Sequence, residues 1–305
     1  MRLKMLLGGL AVVAAIAAPA KADDPVKIGF ITKFPVPFFA TMEDGAKAYA
    51  ASDAAVEITF GQGESATDIE GQIKLIETMV TNGVQGIAIT PVDPSVAAAL
   101  DKAAAAGVKV VLMDNDIPGW EGRTALATTD NYAAGVIAGQ HLATLIKDGD
   151  TLAILEGVPG VPALDDRVNG MIEGLGAVKP NIVARGATGC TEEQGLNNAQ
   201  DFLTANPDLK AIYAACGPPA AGAARAITNA GIANDAIVLV GFDACCGEIE
   251  AIEAGTEDAT VAQFPFKMAE FGVAALVKAI RGEQVESLID SGAALVTKEN
   301  VADFK

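Results

Sequence analysis

The second half of the chain repeats the first at a nearly fixed offset, and few folds accommodate that. Adding 125 to first-half numbers carries the apolar run 26–31 onto 151–156, Asp44-Gly45 onto Asn169-Gly170, and the run 86–90 onto 211–215. The helix stop Ala106-Gly107 returns as Ala230-Gly231. After a few inserted residues, Leu112-Met113-Asp114 returns as Gly241-Phe242-Asp243. Two similar units related by a pseudo-two-fold axis are the expected result.

Each unit alternates strand and helix signals. Residues 26–31 and 56–60 are short β-rich runs, with Ala-rich helical spacing over 44–53 between them. Across 68–81 the apolar residues Ile69, Ile73, Ile76, Met79 and Val80 recur three and four apart, a helical stripe that Asn82-Gly83 ends. A strand over 86–90, a helix opening at Pro94-Ser95 and running to Gly107, and a strand over 108–113 complete the unit. Such repeats require right-handed crossovers and a parallel, doubly wound sheet. Apolar residues make up 51% of the chain but aromatics only 5%, a composition of Ala, Val, Ile and Leu that suits buried parallel strands and their covering helices. The length exceeds what one core usually sustains. No Pro/Ser linker tethers the halves, so the two lobes should exchange strands.

The first residues stand apart from this pattern. Arg2 and Lys4 precede an apolar run over 5–18, and Ala20-Lys21-Ala22 is a small-x-small cleavage site, so residues 1–22 read as a signal peptide removed after Ala22. The run is too short to span a bilayer, and no later stretch approaches the ~20 apolar residues that spanning requires. Export to the periplasm without membrane insertion is the expectation. Removal of Arg2, Lys4 and Lys21 takes the net charge from −18 to −21. A surface so acidic repels phosphate backbones, which excludes nucleic acid as a partner.

In open parallel sheets, ligands sit beyond the carboxyl ends of the strands. If both lobes turn those ends toward each other, the cleft wall comes from 32–39, 91–94, 114–115, 158–167, 189–190, 216–219 and 243–246. Asp114 and Asp243 end equivalent strands on opposing lobes, where a carboxylate accepts hydroxyl hydrogen bonds with charge assistance. Arg167 offers a rigid fork of donors, and Phe38 and Phe39 offer apolar faces for C–H groups. That set matches a neutral, polyhydroxylated ligand, whose buried hydroxyls cost about 1–3 kcal/mol each if left unpaired.

The strings VKIGFITKFPVPFFATMEDGAKA, GVQGIAITPVDPSVAAALDKAAAAGVKVVLMDND and IVLVGFDA with ATVAQFP, together with Arg167-x-x-Gly170, resemble periplasmic sugar-binding proteins of the ribose-binding type. An export signal, where a DNA-binding helix-turn-helix would otherwise stand, separates the chain from sugar-responsive repressors sharing that core. The resemblance implies two lobes joined by three crossovers: 23–129 plus 264–291, and 130–263 plus 292–305. The crossovers would lie near 128–130, 263–265 and 291–292. It also implies hinge closure on a sugar, delivery to the permease of an ABC importer, a monomer and no cofactor. By position, the family's pocket falls on Thr32, Phe38, Phe39, Asp114, Asn115, Arg167, Cys190, Cys216, Asp243 and Gln263. Four positions depart from the family pattern. Val36 stands in place of Asn, Asn115 in place of Arg, and Cys190 and Cys216 in place of a stacking aromatic and an amide. These changes favour a smaller or acyclic polyol, of tetritol, pentitol or pentose size, over ribose itself.

The chain's four cysteines, Cys190, Cys216, Cys245 and Cys246, all lie in the second repeat. An even count in an oxidising compartment predicts disulfides, and three pairings are open. Without C-x-x-C spacing, no metal site is expected. Gly61-Gln62-Gly63 lacks the rest of a dinucleotide fingerprint and reads as a turn. Trp120 reads as a loop anchor, the single histidine His141 as a helix-surface residue, and the acidic stretch 248–258 as a solvated face. A ligand-loaded sensor subunit for a chemoreceptor or sensor kinase is the alternative. A secreted carbohydrate-active enzyme is disfavoured by the lack of a Ser-His-Asp arrangement.

Overall fold

The computed structural model describes residues 25–65 and 67–304; the expected signal peptide, 1–22, lies outside them. The first sheet is built from β1 (Val26–Thr32), β2 (Val56–Gln62), β3 (Gly86–Ile89), β4 (Lys109–Met113) and β5 (Ala125–Thr128). The second uses β6 (Thr151–Glu156), β7 (Asn181–Ala187), β8 (Ala211–Ala214), β9 (Val238–Asp243) and β10 (Ala259–Gln263). Each sheet gains a sixth strand from the C-terminal end of the chain: β11 (Leu288–Asp290) joins the first, β12 (Ala293–Thr297) the second. The orders are β11-β5-β4-β3-β1-β2 and β12-β10-β9-β8-β6-β7, and every pairing is parallel except β10 with β12. The fold is therefore two doubly wound α/β lobes.

The repeat seen in the sequence is now a repeat of elements. The first helix, α1 (Pro37–Ser52), begins 125 residues before its counterpart, as does β2 before β7. The helix expected over 44–53 starts at Pro37 because proline at the first helical position loses only an N–H that has no partner there. Asp68 caps α2 (Ile69–Thr81) by accepting from Gly71 N at 2.9 Å, and Gly83, at φ +77°, ends it. The helix opening at Pro94 begins as a 3₁₀ turn (Pro94–Val96) and continues as α3 (Ala97–Ala105).

In the first lobe, α1 covers one face of the sheet and α2 and α3 the other, so the strands are buried on both sides and read as continuous apolar runs. In the second lobe the same sandwich is made by α4 (Asn131–Leu145) and α5 (Pro162–Gly174) on one face, α6 (Glu192–Ala205) and α7 (Gly217–Asn229) on the other. Helices α4 and α5 touch backbone to backbone: a Cβ at Gly135 would meet the Arg167 carbonyl, and one at Gly170 the Tyr132 carbonyl. That contact fixes the height of Arg167 above its sheet. The short α8 (Glu248–Ala254) leads into β10, and α9 (Pro265–Ile280) returns to pack beside α1 on the first sheet.

The chain thus passes between the sheets after β5, after β10 and after β11. Two passages are hydrogen-bonded together. Ser291 N donates to Thr128 O at 2.8 Å, and Asp130 N donates to Asp290 Oδ1 at 3.0 Å. Asp130 in turn caps α4 by accepting from Ala133 N at 2.9 Å.

Candidate functional site

The carboxyl ends of β4 and β9 carry Asp114 and Asp243, both with left-handed backbones (φ +64° and +102°). Asp tolerates that region better than most residues, and it turns the carboxylate out of the strand into the space between lobes. Each carboxylate has a cation from its own lobe.

Asp243 is the better partnered. Its Oδ1 accepts from Arg167 Nη1 at 2.9 Å and from Gln263 Nε2 at 2.6 Å, and its Oδ2 accepts from Gly217 N at 3.1 Å. Arg167 also donates Nε to Asn131 Oδ1 at 2.8 Å and Nη1 to Ala215 O at 2.9 Å, and its guanidinium lies 4.0 Å from the Phe242 ring centroid. Gln263 Oε1 is buried and receives no hydrogen bond from the protein.

Asp114 faces Lys33, which the sequence reading missed. The ammonium stands 4.0 Å from Asp114 Oδ2, and the two side chains are 14% and 15% exposed. Asn115, in the amide orientation its neighbours require, donates to Asp114 Oδ2 at 3.2 Å and accepts from Lys33 Nζ. Burial pushes the Lys33 ammonium below its usual range; Asp114 partly restores it and Arg167 opposes it. Burial raises the Asp114 carboxyl, while Lys33 and Arg167 hold it down and Asp243 pushes it up. Charges on the second sheet are therefore felt by the pair on the first, and the four groups sum to zero.

The remaining expected residues divide. Thr32 is buried, and its hydroxyl accepts from Gln62 Nε2 at 3.0 Å within the first lobe. Phe39 is buried in the first core, and half-buried Phe38 meets it edge-on with centroids 5.4 Å apart. Cys190 and Cys216 form a disulfide, Cα–Cα 5.6 Å, tying the loop after β7 to the start of α7 beside the Gly217 amide that holds Asp243. Cys245 and Cys246 bridge each other and line a separate cavity of about 480 Å³ with Gly247, Ile249 and Phe304.

A cleft of about 490 Å³ opens between the lobes along the hinge side, lined by Asp93, Arg123, Asn131, Asp166 and Leu288 among others. Of the ten expected residues, Asp114 and Asn115 border it. Arg167, Asp243, Gln263 and Cys216 form the deeper cluster on the second lobe. Besides Lys33, the sequence reading missed Asn131 and Phe242, which hold Arg167 from the side and from below. Their signal was adjacency: Phe242 precedes Asp243, and Asn131 follows a crossover.

Among the described residues, no group of three His, Cys, Asp or Glu side chains is placed to hold a metal ion, and no helix is long and apolar enough to cross a membrane. Trp120 is buried against the β3–β4 side of the first lobe and donates Nε1 to Asp101 Oδ1 at 2.7 Å, which makes it a loop anchor. His141 is half-buried on α4 rather than on a free surface; burial lowers its imidazole, with Asp258 and Glu299 facing it. The acidic stretch 248–258 is a solvated face only in part, with Glu250 and Glu253 exposed. Glu248 and Glu257 are buried within it.

Residues 28–284 match the model of the periplasmic binding protein domain. The chain belongs to the periplasmic binding protein family. The ribose import binding protein of Salmonella typhimurium is 28% identical over 299 residues, 98% of this chain and 99% of that one. The D-ribose/D-allose-binding protein of Pseudomonas aeruginosa is 32% identical over 260 residues, 82% and 80% of the two chains. The solute-binding protein of an ABC transporter from Actinobacillus succinogenes 130z, solved with bound D-allose, superposes with a TM-score of 0.84 at 28% identity, covering 92% of this chain and 99% of that one. This solute-binding protein is of the ribose-binding type in fold as in sequence, and its relatives are named as binding proteins.

Proposed function

We propose that this solute-binding protein captures a small neutral sugar or polyol, of tetritol, pentitol or pentose size, and delivers it to the permease of an ABC importer. The observation that carries the reading is the pair of facing clusters: Lys33, Asp114 and Asn115 on one lobe, Arg167, Asp243 and Gln263 on the other. Two cations and two carboxylates balance, so a neutral ligand adds no uncompensated charge to a desolvated site. The unpartnered Gln263 Oε1 is an acceptor waiting for a hydroxyl. Thr32, Phe38 and Phe39 shape the first lobe's side of the ligand, and the Cys190–Cys216 disulfide forms the wall on the second. A disulfide offers no flat ring face, which favours a compact or acyclic ligand.

Binding works by closure. The moving bodies are 23–129 plus 264–291 and 130–263 plus 292–305, turning about the three crossovers. A ligand held by both clusters stabilises only the closed arrangement, and the permease reads that shape. Residues 1–22 direct export to the periplasm.

A thermal-shift screen over pentoses, hexoses, tetritols, pentitols and cyclitols, followed by calorimetry, tests the reading. A tetritol, pentitol or pentose should give the largest stabilisation and bind one per chain. Indifference to every member of the panel would overturn it.

A further inference from the structure

The strand β9 ends in a loop whose backbone most residues avoid. Asp243, Ala244, Cys246 and Gly247 have φ of +102°, +53°, +62° and +99°. Three of these are not glycine, so something must hold the loop in this form. The hydrogen bonds point to one side chain. Glu248 Oε2 accepts from Cys245 N at 2.9 Å, and Glu248 Oε1 accepts from Thr260 Oγ1 at 2.7 Å. Thr260 Oγ1 accepts in turn from Ala244 N at 3.3 Å. Two successive loop amides thus depend on a carboxylate that is fully buried.

Behind Glu248 lies Glu257, also buried. Neither Glu257 oxygen receives a well-formed hydrogen bond from a protein donor, although the Gly241 backbone is close by. The Glu248 carboxyl is its close neighbour, the Oε1 atoms of both side chains crowding the same point beside Gly241. Gly241 makes room for both: a Cβ there would sit on Glu248 Oε1 and Glu257 Oε1. Two carboxylates so placed, with no cation from the described residues paired to them, repel strongly unless they share a proton.

We propose that Glu248 and Glu257 form a proton-sharing carboxyl pair that positions residues 243–247 and, through them, the Asp243 carboxylate. The shared proton completes the bond that Glu257 otherwise lacks, and Glu248 keeps its remaining acceptor capacity for Cys245 N and Thr260. These are positioning residues. Their consequence for binding rests on the role of Asp243 proposed above; the pair itself is a property of the ligand-free protein.

The electrostatics agree. Burial, then Asp243, push the Glu248 carboxyl up to about 8, against the bonds from Thr260 and Cys245. Glu257 is raised well above the ordinary range by burial, then by Glu248 and Asp258. Other charged or titrating groups face the pair from the elements packed on it. They are Asp243 on β9, Tyr213 on β8, and Asp258 before β10 with His141 of α4 beyond it; Arg167 of α5 is reached through Asp243. Because the folded-state value lies above the unfolded one, the stability this proton contributes is fully present below the ordinary glutamate range. It is lost as pH rises through about 8.

Two measurements on the ligand-free protein test this. In protein labelled with ¹³C at glutamate carboxyls, the Glu248 and Glu257 resonances should titrate together, one step lying near the Glu248 value of about 8. Amide exchange at Ala244 and Cys245, corrected for intrinsic pH dependence, should lose at least about tenfold protection across that step. Glu257→Gln supplies a permanent N–H donor to Glu248, so the variant should keep its protection at every pH. Glu248→Ala should lose it at every pH. Two independent titrations in the ordinary carboxyl range, or protection that ignores pH in the wild type, would overturn the proposal. Neither readout involves a sugar, so failure of the ligand screen leaves this test intact.

Discussion

The pairing of Arg167 with Asp243 is the most buried ion pair among the described residues. The ion pair is 2.9 Å long, and its side chains are 6% and 15% exposed. Removing one partner of such a pair costs about 3–5 kcal/mol, because the other charge stays behind uncompensated. For Asp243→Ala the lower end applies. Arg167 retains Asn131 Oδ1, Ala215 O and the Phe242 ring, while Gln263 Nε2 and Gly217 N lose their acceptor. A loss of roughly 3 kcal/mol corresponds to a fall of about 5 °C in Tm for a chain of this length. Arg167→Met strands the carboxylate instead, leaving it two neutral donors, and should destabilise comparably. The double variant leaves no buried charge at the locus. Its destabilisation should fall short of the summed singles by at least about 1.5 kcal/mol. Urea unfolding of the four proteins measures this, provided the slopes agree. Additivity within about 0.5 kcal/mol would refute the claim that the two residues act as one buried unit. Calorimetry with the ligand found by the screen should show at least about a tenfold loss of affinity for Asp243→Ala, equivalent to ~1.4 kcal/mol.

Lys33→Met removes the first lobe's cation. The Asp114 carboxyl, already raised by burial, should then hold its proton to higher pH, so the fold suffers little while ligand affinity falls by about tenfold or more; unchanged affinity by calorimetry would take Lys33 out of the site. Alkylation and mass spectrometry of the unreduced protein should find no free thiol among Cys190, Cys216, Cys245 and Cys246. Replacing Cys190 and Cys216 together by Ser opens a loop of 26 residues. That should lower stability by about 3.5 kcal/mol on the chain-entropy account, and an unchanged urea midpoint would contradict it.

The architecture was legible because it is written twice. A single βαβ pattern is weak evidence, but its recurrence at a constant offset ties helix stops, strand lengths and strand-end aspartates to one another. What escaped was exposed or tertiary. The edge strand β7 is largely solvent-accessible along its length, so it lacks the unbroken apolar run that marks its neighbours. The three-residue β11 is too short for any periodicity. Asp243 could be singled out from its strand-end position and Arg167 from the segment that follows β6, yet their mutual bond joins residues 76 apart and has no local signature. Lys33 has the sequence context of an ordinary solvated lysine; its burial is a consequence of lobe geometry. Glu248 and Glu257 mislead for the opposite reason. An acidic run of this kind normally faces water, and only the bare backbone of Gly241 lets two of its members turn inward together.

The repeat also exposes where the two lobes have diverged. Asp114 and Asp243 end equivalent strands, but their cations occupy non-equivalent positions. Moving Lys33 forward by the offset of 125 gives Val158, which is 44% exposed; moving Arg167 back gives Met42, fully buried in the first core. The scaffold is pseudo-symmetric and the charge is not. One lobe presents a flexible ammonium beside an amide; the other presents a planar guanidinium locked by Asn131 and Phe242, with a disulfide in place of a ring face. If both lobes carried the same set, a linear polyol could enter in either direction, and the two orientations would compete. On the proposed binding role, placing a planar guanidinium fork on one side and a single ammonium on the other would separate those orientations in energy. On that role, specificity within this duplicated fold would reside in the residues that break the repeat.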